Sequence, residues 1–275
     1  MSDRNQNEPD NDSEGLPPSV RRYSYEGKDQ FSRILALERE RLLNSMRNSR
    51  ELTNIDTAPV KTEPNIETTE YIIFSIDPIT FQQDFLGPDI IPIRSIRTSF
   101  NPKTELLIVK MITGEHTQFA FAVSKAIDKA LERMGLDEAI HSYQGVDIDI
   151  NGQWKQADMG WGPRRPPRGC PKRPTVILEV AVSETQRKIH RDVNLWLDPV
   201  KGNANVAMAI KINRQRPMIS IDKWVWDHVN GTSIKTQHIE VSESETDRVK
   251  LSGVHSSFPF ISFSYEILKY QEKPT

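Results

Sequence analysis

The sequence predicts an α/β domain built on a central mixed sheet, and three observations carry that prediction. Phe119, Val123, Ala126, Ile127, Ala130, Leu131 and Met134 form one apolar stripe, which predicts a helix over residues 115–134, with Gly135 as its stop. Residues 146–158 read as a hairpin, because Val-Asp-Ile-Asp-Ile alternates and Asn151-Gly152 suits a type I′ turn. Finally, the apolar run 175–182 leads into a second amphipathic segment and then a further strand at 204–213.

The remaining elements follow in order. Residues 1–27 are polar and hold little to bury, so they are expected to be disordered; the first fourteen carry five acids and one Arg. Residues 28–52 repeat Phe31, Ile34, Leu35, Leu42, Leu43 and Met46 at helical spacing among many charges, which predicts an amphipathic helix. That helix is expected to pack on the domain or on a partner chain, with self-association included; the alternative is a membrane-surface or nucleic-acid-binding helix. Residues 53–69 contain two Pro and read as a linker, so the folded domain is expected over 70–275. Strands are expected at 71–76, 93–100 and 105–112, with Asn-Pro-Lys-Thr as a turn. Residues 160–174 form a Pro/Arg-rich loop. Ser183 with Gln186 fits a capping box, and Ile189, Val193, Trp196 and Leu197 supply the apolar face of the helix that follows. A strand at 218–226 comes next, and residues 258–268 read as a last strand or packing segment.

Composition narrows the function classes. A length of 275 residues accommodates one sizeable domain plus extensions, and the net charge of −2 does not mark a globally basic nucleic-acid binder. The charge is uneven, however: residues 161–191 hold eight Lys/Arg against two Glu. Cys170 is the only cysteine, which excludes an internal disulfide and a multi-cysteine zinc site and fits an intracellular compartment, nucleus or cytoplasm unresolved. No apolar run is long enough for a membrane span.

The candidate chemistry starts from two carboxylates. Glu179 interrupts Thr-Val-Ile-Leu-Glu-Val-Ala-Val, where an unpaired buried charge would be expensive. Asp158 closes the strand before it. On adjacent strands the two would converge, and with the Val180 carbonyl they would offer hard oxygen ligands to Mg²⁺. A divalent ion there suits phosphodiester chemistry.

These residues, the order of elements and the segment Pro174-Thr-Val-Ile-Leu-Glu-Val-Ala-Val-Ser-Glu resemble the PD-(D/E)xK restriction-endonuclease-like superfamily. The segment is similar to the Glu-Val-x-x-Ser phrase of Uma2-like members, and closer to a group of uncharacterised fungal proteins with that core. Leu107-Ile-Val-Lys-Met-Ile-Thr-Gly-Glu-His strengthens the match, which covers about residues 70–230. The resemblance implies an αβββαβ core and a Mg²⁺-dependent nuclease, with Asp158 and Glu179 as catalytic metal ligands, joined by Val180 and His116; Glu115 inherits candidate status. The usual lysine two residues after the Glu is Ala181 here, and the usual Pro-Asp is Ala157-Asp158. Lys188 on the following helix is the replacement cation, with Gln186 and Arg191 beside it. Arg164, Arg165 and Arg168 would contact nucleic-acid phosphates. The alternative is a catalytically inactive member acting as a nucleic-acid-binding or protein-interaction module, its Glu179 paired with a cation such as Lys188.

Overall fold

A computed structural model describes residues 15–53, 69–87, 93–182, 184–213, 218–243 and 249–252. In chain order the elements are β1 (Arg21–Ser24), α1 (Lys28–Thr53), β2 (Tyr71–Ser75), α2 (Pro78–Phe85), β3 (Ile96–Asn101), β4 (Leu106–Met111) and α3 (Gly114–Arg133). Then follow β5 (Ile140–Ser142), β6 (Asp147–Ile150), β7 (Gln153–Gln156), β8 (Met159–Pro163), β9 (Val176–Ala181), α4 (Gln186–Leu197), β10 (Val206–Asn213), β11 (Met218–Asp227), β12 (Thr232–Glu243) and β13 (Val249–Ser252).

Two sheets form. One has six strands in the order β1-β2-β4-β3-β7-β6, and the other has seven in the order β13-β12-β11-β10-β9-β8-β5. Within the second, β8 runs antiparallel to β5 and β9, and β9 runs parallel to β10 through the α4 crossover. The run α3, β5, β8, β9, α4, β10 is therefore the expected αβββαβ order around a mixed sheet. Helix α3 covers one face through Phe119, Ala120 and Val123 against Leu178, Val180 and Ile210. Helix α4 covers the other through Ile189, Val193, Trp196 and Leu197 against Ile177, Ala181, Ala207 and Ala209. The period-2 alternation of β9 thus sends 177, 179 and 181 toward α4, and 178 and 180 toward α3.

Several expectations need correction. The 151–152 turn has the predicted positive φ at both residues, but its hairpin, β6–β7, belongs to the six-stranded sheet. The chain leaves that sheet after Gln156 and enters the other at Met159, so Asp158 marks a crossover between sheets and does not end a strand beside β9. The first residues of the predicted long loop are strand β8. Thr185, not Ser183, caps α4, its hydroxyl accepting from the Lys188 amide; Ser183 lies outside the described residues.

The expectation of disorder over 1–27 fails for residues 15–27. β1 adds in parallel to the edge of β2, and Leu16 and Val20 are buried against Tyr71, Ile73 and Ile108. β1 is also tied to α1. The buried Glu38 carboxylate accepts from Tyr23 Oη at 2.6 Å and Arg21 at 3.0 Å, and also from Arg41. α1 forms over the predicted span and buries Phe31, Leu35 and Leu42 in a cluster with Phe74, Phe81 and Phe100. The folded unit accordingly begins before residue 70. Residues 1–14, most of the predicted linker and the segment 258–268 lie outside the described residues.

Candidate functional site

The register Met159↔Leu178 between β8 and β9 brings Asp158 alongside Glu179, and both are buried, at 0% and 6% exposure. Their surroundings are heavily charged. Asp158 Oδ2 accepts from the Val180 amide at 2.8 Å and from Lys110 Nζ at 2.9 Å, and lies 2.8 Å from His116 Nε2. Lys110 reaches in from β4 of the other sheet. Its ammonium also donates to the Val180 carbonyl at 2.6 Å and stands 2.8 Å from Glu184 Oε1, which the Tyr71 hydroxyl also bonds.

Glu179 is held differently. Its Oε1 accepts from Trp196 Nε1 at 2.6 Å and lies 3.5 Å from Lys155 Nζ, contributed by β7. Lys155 pairs with Asp192 on α4 at 3.1 Å, and Asp192 pairs with Lys188 one turn earlier at 2.5 Å. Lys110, Lys155, Asp158, Glu179, Lys188 and Asp192 line a small recess between the sheets, together with Tyr71, Arg97 and Thr98.

Electrostatics distinguish the acids. Burial pushes the Asp158 carboxyl up, but His116, Lys110 and the Val180 amide outweigh it and hold the group well below the usual carboxylate range. Burial likewise opposes ionisation of Asp192, yet Lys155 and Lys188 bring it to about 2. Burial dominates at Glu179, and the nearby Asp158 and Asp192 add to it against Lys155, so its pKa rises to about 7. Of these three acids, Glu179 is the one raised above its ordinary value.

Of the predicted site residues, the structure gathers Asp158, Glu179, Val180, His116 and Lys188. Lys188 is buried but contacts Asp192, so the cation beside Glu179 is Lys155 instead. Gln186 and Arg191 lie on the exposed face of α4. Glu115 is half-buried in the first turn of α3. Arg164, Arg165 and Arg168 sit past the far end of β8. At about 3.3 Å per residue that end is roughly 17 Å along the strand from Asp158, and Arg164 is engaged with Glu138 at 3.0 Å.

Sequence reasoning missed Lys110, Lys155, Glu184 and Asp192. Lys110 carried a usable signal: it interrupts Leu-Leu-Ile-Val-Lys-Met in the same way that Glu179 interrupts its own strand.

The chain was compared with known proteins. No protein-family profile matches it, and no curated protein does. Among solved structures, it is similar to the crystal structure of a candidate nuclease belonging to DUF820 from Anabaena variabilis ATCC 29413. The match has 12% identity and a TM-score of 0.35, and covers 62% of this chain and 84% of that one. No helix among the described residues is long and apolar enough to cross a membrane.

The implied Mg²⁺ can be tested against the donor set. The Val180 carbonyl and Asp158 Oδ2 are taken by Lys110, and Glu179 Oε1 by Trp196. Among the described residues, no group of three or more His, Cys, Asp or Glu is arranged to hold a metal. This arrangement does not fit the ion.

Proposed function

We propose that this chain carries a PD-(D/E)xK-type, nuclease-like domain that works as a binding module and not as a metal-dependent nuclease. One observation carries the reading: the Lys110 ammonium binds the Asp158 carboxylate and the Val180 carbonyl, the oxygens a divalent ion would need. A buried lysine held by several carboxylates stays charged, and burial penalises its charge less than those acids favour it. The binding surface is the cationic loop, where Arg165, Arg168 and Lys172 are exposed to a polyanion such as nucleic acid.

The competing reading is Mg²⁺-dependent phosphodiester hydrolysis with Asp158, Glu179 and Lys188 as catalytic groups. It has one observation in its favour: Asp158 Oδ1 is buried without a hydrogen-bond partner.

A cleavage screen on single- and double-stranded DNA and RNA, with Mg²⁺ or Mn²⁺ and beside Asp158→Ala, separates the two. Binding without cleavage is expected. Cleavage that disappears in Asp158→Ala would establish the nuclease instead.

A further inference from the structure

We infer that the Lys110 ammonium stands in for a divalent cation, and that Asp158, Glu184 and the Val180 carbonyl form a latent oxygen site that opens to Mn²⁺ or Mg²⁺ once the ammonium is removed. The inference rests on the proposed metal-free reading of the wild-type chain and adds Glu184 as a ligand.

The geometry around Lys110 Nζ is that of a cation in an oxygen cage. Three oxygens surround it at 2.9 Å (Asp158 Oδ2), 2.6 Å (Val180 O) and 2.8 Å (Glu184 Oε1). The ammonium donates hydrogen bonds to the Asp158 and Val180 oxygens, and the Glu184 oxygen completes the set as an ion-pair contact. All three ligands are hard oxygens, the type that Mg²⁺ and Mn²⁺ select. Divalent ions bind closer, at about 2.0–2.1 Å for Mg²⁺, so the cage must contract by several tenths of an ångström. The buried Asp158 Oδ1, without a hydrogen-bond partner, gives the same carboxylate a further oxygen to offer.

Removal of the side chain spares the frame. The Lys110 backbone stays in register with Tyr71 on β2 and Arg97 on β3. Asp158 keeps the Val180 amide, and Glu184 keeps Tyr71. What disappears is the positive charge between two buried carboxylates, at 0% and 6% exposure. His116 stays 2.8 Å from Asp158, but Glu184 loses the ammonium that pairs with it, and a buried charge short of a counterion is strongly unfavourable, which gives a divalent ion its driving force. Truncation also vacates the volume of a lysine side chain, which leaves room for the waters that Mg²⁺ and Mn²⁺ retain.

The test uses the full chain as wild type, Lys110→Ala and Lys110→Ala with Glu184→Gln, and Mn²⁺ alone as the probe. Melting temperature and titration calorimetry are the readouts. Mn²⁺ is expected to bind Lys110→Ala and raise its melting temperature by several degrees at about a hundredfold excess over its Kd. It should leave the wild type unmoved and lose most of its effect in the double variant. A folded Lys110→Ala that ignores Mn²⁺ overturns the latent site while leaving the metal-free reading intact. A wild type that binds Mn²⁺ with dependence on Asp158 overturns both. Should Lys110→Ala fail to fold, recovery of its circular dichroism on adding Mn²⁺ supports the site. Failure to recover, together with a folded but unresponsive Lys110→Ser, overturns it.

Discussion

Trp196 Nε1 donates to Glu179 Oε1 at 2.6 Å, from the last turn of α4 to the middle of β9. This bond explains how a carboxylate can sit in an apolar strand without a full counterion. An indole N–H needs a partner when buried, and Trp196 is among the largest fully buried side chains. Trp196→Phe keeps the packing but removes the donor. A loss of about 1.5–3 kcal/mol is expected at pH 8, where Glu179 is mostly ionised, measured by urea unfolding.

The raised pKa of Glu179 gives stability a pH slope of known sign. The folded state holds its proton up to about pH 7, while the unfolded chain releases it near 4.5. The folded state therefore binds more protons between those values. The contribution of this group is complete below about 4.5 and fades as pH rises through 7. Glu179→Gln should flatten the slope between pH 5 and 8 and be more stable than wild type at pH 8. An unchanged slope in that variant would refute the assignment. Asp192, lowered to about 2, acts in the opposite sense, and its contribution is lost as the pH falls from about 4 through 2.

Lys155 bridges Glu179 and Asp192 from the opposite sheet. Lys155→Met leaves the two acids short of one buried cation. Breaking such a set by removing one partner costs about 3–5 kcal/mol. Equilibrium denaturation should show the loss, and adding Glu179→Gln to the same chain should recover part of it.

The Arg-rich loop should be separable from the buried site. Replacing Arg164, Arg165 and Arg168 together by Ala touches exposed side chains, so stability should change by no more than about 0.5 kcal/mol per position. Binding to a DNA or RNA duplex should weaken, and the salt dependence should fall by about 0.9 for each phosphate no longer neutralised. Asp158→Ala should leave that binding in place. Affinities measured across a salt series test both points.

Leu16 belongs to the segment expected to be disordered, yet it is buried at 4% exposure. Leu16→Ala should cost about 2–5 kcal/mol, as in other cores. A value near zero would mean that the 15–20 segment contributes nothing to the fold.

Much of the fold was legible because its period was. The stripe on α3, the Asn151-Gly152 turn and the strand–helix–strand order from β9 to β10 all follow from local pattern. β1 was not legible, since four residues reading Arg-Arg-Tyr-Ser have no apolar alternation and depend on an open strand edge about fifty positions later. The site was half legible. Glu179 stood out as a charge in an apolar strand, and Lys110 obeyed the same logic. Lys155 did not, because a lysine beside Trp154 in a polar hairpin reads as solvated. Its burial comes from α4 and β9 packing over it, which no local window contains. The partnership of Lys188 was misassigned for a related reason. The i, i+4 spacing to Asp192 was available in the sequence, and that short-range pair takes Lys188 instead of Glu179.

The charged cluster also bears on how the molecule comes apart. Tyr71, Lys110 and Lys155 belong to the six-stranded sheet, whereas Glu179 belongs to the seven-stranded one and Glu184 and Asp192 to its crossover. Ile148 and Ile150 of the first sheet likewise share a core with Trp196 and Ala207. Pulling the sheets apart would strand ions of opposite sign on two separate surfaces, each cut from a dry interior. Neither sheet therefore has a comfortable half-folded state, and the two should melt as one cooperative unit, with Trp154 on one side and Trp161 on the other reporting the same midpoint.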